Sequence, residues 1–139
     1  RDRTTHEELY IMSVDGPEMK QLTTYPEDNI SAKDFGYKAG PPKWHPTENY
    51  ITYISKQDGQ NNIFAVTPDG SKQWKLTTSK DNEGWHDWSS DGNWLAYDHS
   101  NKDESQYHIM LMNWKTKETK QLTDTSYNYQ QAPVFVEVR

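Results

Sequence analysis

The sequence predicts an all-β fold, a segment of a β-propeller with about two and three-quarter four-stranded antiparallel blades. Three observations lead to this prediction. A unit of 44 to 46 residues recurs along the chain, each copy holds four short apolar or aromatic runs separated by turn residues, and no stretch keeps a helical apolar period between caps. Four-stranded sheets have two faces to bury, and radial stacking as propeller blades buries both.

The repeat becomes visible when the chain is superposed on itself. Residues 44–53 fall, 44 positions later, on residues 88–97, and aromatic residues meet aromatic residues at three places. The half-unit 63–77 recurs 46 positions later at 109–123, and it also occurs earlier, at 9–23. We therefore expect the same strands and turns in each copy.

Each complete unit reads as four strands, which we name a to d. In the second unit the predicted strands cover residues 42–45, 50–55, 63–67 and 73–77. The a to b and c to d turns carry Pro, Asp, Gly and Asn, which suit tight turns and positive φ. A helix over residues 107–117 is rejected because the matching copy, near Ile63, is followed by Pro-Asp-Gly.

The phase of the repeat makes residues 1–139 a single propeller segment. Its predicted parts are a partial blade at 8–24, a blade at 42–78, a blade at 86–124 and the first strand of a further blade at 132–138. A b strand is missing between the last part and the first, so these parts do not close a ring alone. We expect either a piece of a longer propeller or a homo-oligomer in which the N-terminal strands complete another copy's blade.

The composition fits blades that are rich in aromatic residues. Leu, Ile, Val and Phe together number only 20 of 139 residues, a share typical of disordered chains. Six Trp and nine Tyr oppose that interpretation, because large rings bury more area than aliphatic side chains. These rings recur at matched places of the repeat, so we expect them to supply the bulk of the core.

Charge and patterning exclude several classes of function. The formal net charge is −6 and no dense Lys/Arg cluster occurs, which argues against a nucleic-acid partner. The longest uninterrupted apolar run, residues 109–112, is far shorter than the roughly 20 residues that cross a bilayer, so no membrane insertion is predicted. The absence of Cys excludes disulfides and thiolate chemistry.

The recurring pattern of Pro-x-Trp, a polar turn, an aromatic strand, an Asp-Gly turn and Leu-Thr resembles the WD40-like (PD40-type) repeats of TolB-like six-bladed β-propellers. The residues that carry the resemblance are Asp15, Gly16, Leu22, Thr23, Pro42, Trp44, Pro68, Asp69, Gly70, Leu76, Thr77, Trp88, Ser89, Ser90, Asp91, Gly92, Leu122 and Thr123. The resemblance covers about residues 9–138. It implies a bacterial cell-envelope protein, periplasmic or at the cell surface, whose propeller is a docking platform for other proteins.

The alternative is that the chain is part of an enzyme, because two related kinds of enzyme contain this architecture. Similar propellers precede the catalytic domain of prolyl-oligopeptidase-like serine peptidases, and a lyase acting on oligogalacturonate has this fold with a metal in the ring. The sequence contains no Gly-x-Ser-x-Gly motif and no Gly-rich phosphate loop, and Ser90 and Asp91 fall in a tight turn on the face opposite His86. We predict no catalytic residue and no cofactor.

The candidate binding surface follows from strand order. In an antiparallel blade the b to c and d to a connections emerge on one face, and here they are predicted to be loops rich in rings. The predicted binding residues are Tyr25, Phe35, Tyr37, Trp85, His86, Asp87, Tyr127, Tyr129 and Gln130. Exposed rings beside carboxylates and amides suit the recognition of a protein or peptide, and equally stacking on a glycan. The alternative is that the rings fill gaps between blades.

Two further features bear on the site. The insertion at residues 26–40 departs most from the repeat, so it is a candidate for partner specificity or else a variable loop. His86 and Asp87 are candidates for holding a metal ion or a water at the channel, against the alternative of a loop histidine bonded to backbone; no Zn²⁺-type spacing is present. Taken together, the residues favour a non-enzymatic protein-binding module.

Overall fold

The computed structural model describes residues 7–24, 39–57 and 59–138, and this part of the chain contains ten strands and no helix. The strands are β1 Tyr10–Met12, β2 Met19–Gln21, β3 Lys43–Trp44, β4 Ile51–Gln57, β5 Gln60–Val66, β6 Gln73–Lys75, β7 Asn82–Trp88, β8 Trp94–Ser100, β9 Tyr107–Asn113 and β10 Thr119–Gln121. The all-β prediction is confirmed, and so is the rejection of a helix over residues 107–117. No helix suited by length and apolarity to crossing a membrane occurs in the described ranges.

The strands form a two-stranded first sheet, β1-β2, and two four-stranded antiparallel sheets, in which neighbours in sequence are neighbours in space. The second sheet has the order β3-β4-β5-β6, and the third sheet contains β7 to β10 in the same consecutive order. In the second sheet Ile51 pairs with Val66, and in the third Leu95 pairs with Met112. These two pairs are equivalent positions of the repeat, so the two sheets share one register.

Side-chain hydrogen bonds hold the turns, and they come from the residues that predicted the turns. After β5, the Asp69 carboxylate accepts from the Thr67 hydroxyl at 2.6 Å and from the Ser71 amide at 3.0 Å. Hydrogen bonds from these two residues hold the pKa of Asp69 well below its usual range. After β7, Asp91 accepts from the Ser89 hydroxyl at 2.6 Å in the same way. The Asp residues of the motif are therefore structural.

The Leu-Thr pair that ends each repeat closes strand d onto strand c. In the described copies the Thr hydroxyl oxygen accepts one backbone N–H from a residue in strand c or, in the first copy, directly before it. The donor and acceptor residues are Leu9 and Thr23 at 2.9 Å, Ile63 and Thr77 at 3.3 Å, and Ile109 and Thr123 at 3.0 Å. The Leu before each Thr donates its own N–H to the carbonyl of the same donor residue, at 2.8 Å. The motif thus satisfies backbone groups where the short d strand ends.

The chain divides into two compact units, the first made of Arg1–Trp44 and Asn49–Thr78 and the second of His45–Glu48 and Ser79–Arg139. The first unit has an apolar core to which both of its sheets contribute. Its buried members are Leu9, Leu22, Ala39, Ile51, Tyr53 and Val66. Tyr53 also meets Phe64 with ring centroids 6.0 Å apart. A small number of apolar side chains from and beside the short strands therefore forms the core of this unit.

In the second unit, aromatic side chains pack beside the fully buried Leu95, which pairs with Trp88 in the ladder. The edge of the His45 ring meets Trp88 at a centroid distance of 4.4 Å, and Trp88 meets Trp114 at 4.9 Å in a T-shaped contact. The Lys117 ammonium lies over the Trp114 ring, 2.7 Å from its centroid. The low aliphatic content is thus offset by aromatic packing.

The start of β7 and the end of the described chain bear on the predicted blade boundaries. β7 begins at Asn82 rather than near residue 86, because a bulge interrupts its pairing and breaks the apolar alternation that marks a strand in sequence. Residues 132–138, the predicted first strand of a further blade, lie in no strand of the described chain. An inner strand pairs with the second strand of its own blade, so the assignment of these residues stays a prediction.

Candidate interaction surface on the third sheet

A β-bulge in β7 turns a tryptophan outward. The register of β7 against β8 shifts between Glu83 and His86, so that Gly84 and Trp85 together lie opposite Asp98. The Trp85 side chain is 54% exposed. Its backbone N–H donates a hydrogen bond to the Asp98 carboxylate. The bulge therefore exposes the indole ring of Trp85, while the backbone of this residue is hydrogen-bonded to Asp98.

The chain after β10 returns across the third sheet as a segment that we call the strap, residues 128–135. It starts beside Tyr107, at the beginning of β9. The Tyr107 N–H donates to the Asn128 carbonyl at 2.7 Å, and the Gln130 N–H donates to the Tyr107 carbonyl at 3.2 Å. The b to c and d to a connections of this blade therefore meet at one end of the sheet, as the strand order predicts.

The strap then runs from β9 across β8 to β7, and two carboxylates bind its backbone. The Ala132 N–H donates to Oδ2 of Asp98 at 3.3 Å, and the Phe135 N–H donates to Oδ2 of Asp87 at 2.9 Å. Both hydrogen bonds join backbone to a charged side chain, the stronger kind of hydrogen bond in proteins. The strap is thereby fastened to each of the three strands that it crosses.

Exposed tyrosines lie where the strap begins. Tyr107 and Tyr129 stack with ring centroids 5.9 Å apart and planes 28° apart. Tyr127 and Tyr129 are each 68% exposed. The Tyr107 hydroxyl donates to Glu104 at 3.2 Å, and burial together with Glu104 raises the pKa of Tyr107. We call Trp85, Tyr107, Tyr127 and Tyr129 the aromatic surface.

Asp98 lies beneath the junction of bulge and strap, with only 2% of the residue exposed. Its Oδ1 would clash with a Cβ placed on Gly84, so only glycine leaves room for the carboxylate there. Burial raises the pKa of Asp98 to about 6, although the N–H groups of Ala132 and Trp85 act in the opposite direction. A buried, hydrogen-bonded carboxylate therefore fixes the geometry of this region.

The sequence prediction that Trp85, His86 and Asp87 belong to a loop is wrong, because all three lie in β7. His86 is 2% exposed and pairs with Tyr97 in the ladder, so its side chain is not available to a partner at this surface. The side chain of Asp87 is occupied in binding the strap. Of these three residues, Trp85 alone presents an exposed side chain.

The other predicted binding residues divide into two groups. Tyr129 and Gln130 lie at the start of the strap, and Tyr127 directly precedes it. The side-chain oxygen of Gln130 is buried, and no hydrogen-bond donor reaches it from the described residues. Tyr25, Phe35 and Tyr37, together with most of the insertion at 26–40, lie outside the described residues.

The proposed pairing of His86 with Asp87 around one metal ion disagrees with the strand geometry. Adjacent residues of a strand point to opposite faces of the sheet. Beyond the bulge, His86 pairs with Tyr97 and Asp87 with Ala96, which places the two side chains on opposite faces. Within the described ranges there is no group of three or more His, Asp or Glu side chains that could hold a metal ion.

A family model decides how the chain is classified. The model of the TolB beta propeller domain, PD40, matches residues 1–136. The chain belongs to this family. No curated protein matches the sequence. The propeller interpretation of the repeat is thus confirmed for nearly the whole chain.

Two solved structures that are similar to this chain are those of TolB proteins. A protein assigned as TolB from Agrobacterium tumefaciens matches with a TM-score of 0.67 and 20% identity, over 84% of this chain and 40% of that one. TolB from Acinetobacter baumannii matches with a TM-score of 0.64 and 21% identity, over 87% of this chain and 28% of that one. The chain spans less than half the length of either protein. At this identity the likeness establishes the fold.

Three residues that form or support the aromatic surface were not predicted from the sequence: Asp98, Gly84 and Tyr107. The repeat did contain a signal for Asp98, because superposition by 44 positions sets it on Ile54, a buried apolar position. A carboxylate at a core position of one repeat marks a departure that needs a local explanation. Gly84 and Tyr107 have no comparable signal, since their roles depend on a bulge and on a segment distant in sequence.

Proposed function

We propose that this chain is a non-enzymatic protein-binding module whose partner docks on the aromatic surface. The observation that carries the proposal is that two largely exposed rings, Trp85 and Tyr129, stand on backbone that is fastened to the third sheet, with the exposed Tyr127 two residues before Tyr129. Tyr and Trp dominate the energetic centres of protein interfaces. Rings that are already held in place cost less conformational entropy when a partner binds them.

The partner that best suits this surface is a peptide segment with basic side chains. Glu104 borders the surface through its bond to the Tyr107 hydroxyl, and the chain as a whole carries a net charge of −6. Arg and Lys side chains stack on aromatic faces and pair with carboxylates. A basic partner would also be attracted by the overall charge of the module.

The setting that we propose is the bacterial cell envelope, periplasmic or at the cell surface, with the propeller as a docking platform. Two things support it: the family to which the chain belongs, and the TolB name of the similar structures. We further propose that ring closure comes either from further blades or from a second copy of the chain. Native mass by light scattering distinguishes these two, since a homo-oligomer requires a mass that is a multiple of the monomer's.

The docking proposal is tested by selection from a displayed library of random peptides. The full chain is the bait, and retained pools are measured for binding to wild type, to a Trp85→Ala/Tyr129→Ala double variant and to Trp94→Ala. Trp94 is a matched control, because it is a 39% exposed tryptophan near the other end of the same sheet. We expect the double variant to lose at least tenfold in affinity and Trp94→Ala to lose little.

Two results would count against docking at this surface. One is a selected pool that binds wild type and the double variant equally; the other is a pool without enrichment of Arg, Lys or aromatic residues. Circular dichroism of each variant checks that the β signal is retained. An oligosaccharide panel in the same format tests the alternative, in which the chain is the propeller portion of a glycan-active lyase and the stacked tyrosines bind sugar rings.

A further inference from the structure

We propose that Asp98 is the positioning residue of the aromatic surface, and that protonation of its carboxylate tightens the strap over the third sheet. The inference rests on the proposed function for its biological meaning. Its geometry stands independently, because it concerns how two parts of the chain are fastened to one side chain. We call the Asp98 carboxylate with its two backbone partners, Trp85 N–H and Ala132 N–H, the latch.

The latch joins the two segments that carry the exposed rings. Trp85 belongs to the bulge of β7, and Tyr129 lies three residues before Ala132 in the strap. Asp98 accepts a backbone hydrogen bond from each segment. Removing the carboxylate therefore releases both segments from the same point, which a ring substitution does not do.

The backbone of the strap supports a holding role for Asp98. Ala132 has φ at +59°, a left-handed conformation that is unfavourable for a non-glycine residue. The N–H of this same residue donates to Asp98. The hydrogen bond thus helps to hold Ala132 in a left-handed conformation that it would otherwise leave.

The second sheet shows that a blade can be built without the carboxylate. Its equivalent of Asp98 is Ile54, which is buried. Burying a carboxylate costs free energy that burying Ile does not. The third sheet bears this cost at the one place where a strap and an exposed bulge meet. The position therefore serves the geometry of the surface rather than the assembly of the sheet.

Titratable side chains face Asp98 from the neighbouring strands. On the same face of the sheet Asp87 projects from β7 and Tyr107 from β9, with Glu104 bound to the Tyr107 hydroxyl. Burial raises the pKa of Asp98 to about 6. Because the strap crosses Asp98, we expect an open strap to expose the carboxylate and to return its pKa toward the ordinary 3.8, although the hydrogen bond from Ala132 acts against this difference.

The sign of the pH dependence follows from this difference. A group whose pKa is higher in the closed state takes up a proton on closing, so closing is favoured at low pH and weakened as pH rises through about 6. For pKa values of about 6 closed and 3.8 open, the closing equilibrium is roughly tenfold stronger at pH 5 than at pH 7.5. We therefore expect a tighter aromatic surface in mildly acidic solution.

Amide hydrogen exchange of the full chain tests the latch without any partner. Protection at Ala132 and Trp85 is measured at pH 5, 6 and 7.5 and corrected for intrinsic exchange, with the Leu122 amide, bonded to the Ile109 carbonyl of the same sheet, as control. In wild type we expect roughly tenfold less protection at Ala132 at pH 7.5 than at pH 5. Asp98→Asn should remove the pH dependence while keeping measurable protection, and Asp98→Ala should remove protection at both amides.

The outcomes separate this inference from the proposed function. A flat pH profile at Ala132 in wild type, or the same profile in Asp98→Asn, overturns the latch even if Asp98→Ala fails to fold. The peptide pool selected above is then measured against wild type and Asp98→Asn at pH 5 and 7.5. Loss of pH-dependent binding in Asp98→Asn supports the positioning role. Absence of pool binding to wild type at every pH overturns the proposed function, whereas the exchange profile still decides on the latch.

Discussion

The second and third sheets are two copies of one repeat, and they differ where the third sheet carries its strap. Equivalent scaffold positions agree: Tyr53 and Tyr97 are both buried and lie in equivalent ladders. The position of Ile54 in the second sheet is taken by Asp98 in the third, opposite a bulge. The comparison teaches that the repeat specifies the scaffold, whereas departures from it mark the residues that shape a surface.

The largest effect that we expect is a test of the shared scaffold. Ile51→Ala and Leu95→Ala remove equivalent buried side chains, so each should lower the free energy of unfolding by about 2 to 5 kcal/mol through lost apolar burial and a cavity. Urea denaturation followed by tryptophan fluorescence measures both. If one variant were destabilised by less than about 1 kcal/mol, the two positions would not be equivalent in packing.

The next effect breaks the third sheet at its distinctive position. Gly84→Ala drives a Cβ into the Asp98 carboxylate and should cost about 1 to 3 kcal/mol, as overpacking does. Gly16→Ala is the matched control, because a Cβ there meets nothing within 4 Å. Combining Gly84→Ala with Asp98→Ala should relieve part of the clash. Strictly additive free energies of unfolding would argue against this contact.

A smaller effect sharpens the explanation of the Leu-Thr motif. Thr77→Val keeps the shape of the side chain but leaves the buried Ile63 N–H without its hydroxyl acceptor, which should cost about 1 to 2 kcal/mol. Thr123→Val should cost less, because Thr123 is only half-buried. Thermal denaturation measures the two variants side by side. The explanation fails if the order of the two losses is reversed.

The smallest effect concerns the turn at His45, whose Nδ1 accepts the N–H of Thr47 at 3.3 Å and of Glu48 at 3.0 Å. Burial lowers the pKa of His45 below 6.5, and Lys117 adds to this, whereas Glu48 opposes it. The folded chain therefore binds this proton more weakly than the unfolded chain, and the contribution of His45 to stability is lost as pH falls below about 6.5.

His45→Ser isolates this contribution, because the equivalent turn of the third sheet has Ser89 at that place. The urea midpoint of wild type should decline relative to that of His45→Ser between pH 7.5 and pH 5. Taking the difference between the two proteins removes the contributions of Asp98 and of the turn carboxylates, which are present in both. Parallel midpoints at every pH would show that His45 does not titrate in this range.

The scaffold was largely predictable from sequence, because its determinants are local. Turn residues such as Asp69 and Asp91 bond to side chains and amides within two residues, and the Leu-Thr pair acts within one hairpin. The central strands β4, β5, β8 and β9 therefore appear close to their predicted positions. The start of β7 was missed because a bulge shifts the register there, and a register shift leaves no periodic trace in sequence.

The sequence by itself determined that this chain forms four-stranded units from a repeat of 44 to 46 residues, with aromatic side chains in place of aliphatic ones. The tertiary structure decided which of the predicted binding residues are exposed and what holds them. His86 is buried while its neighbour Trp85 is exposed, and Asp98 binds a residue 34 positions away in sequence. Such outcomes depend on contacts between distant segments, and the free energy of those contacts is not encoded in local propensity or period.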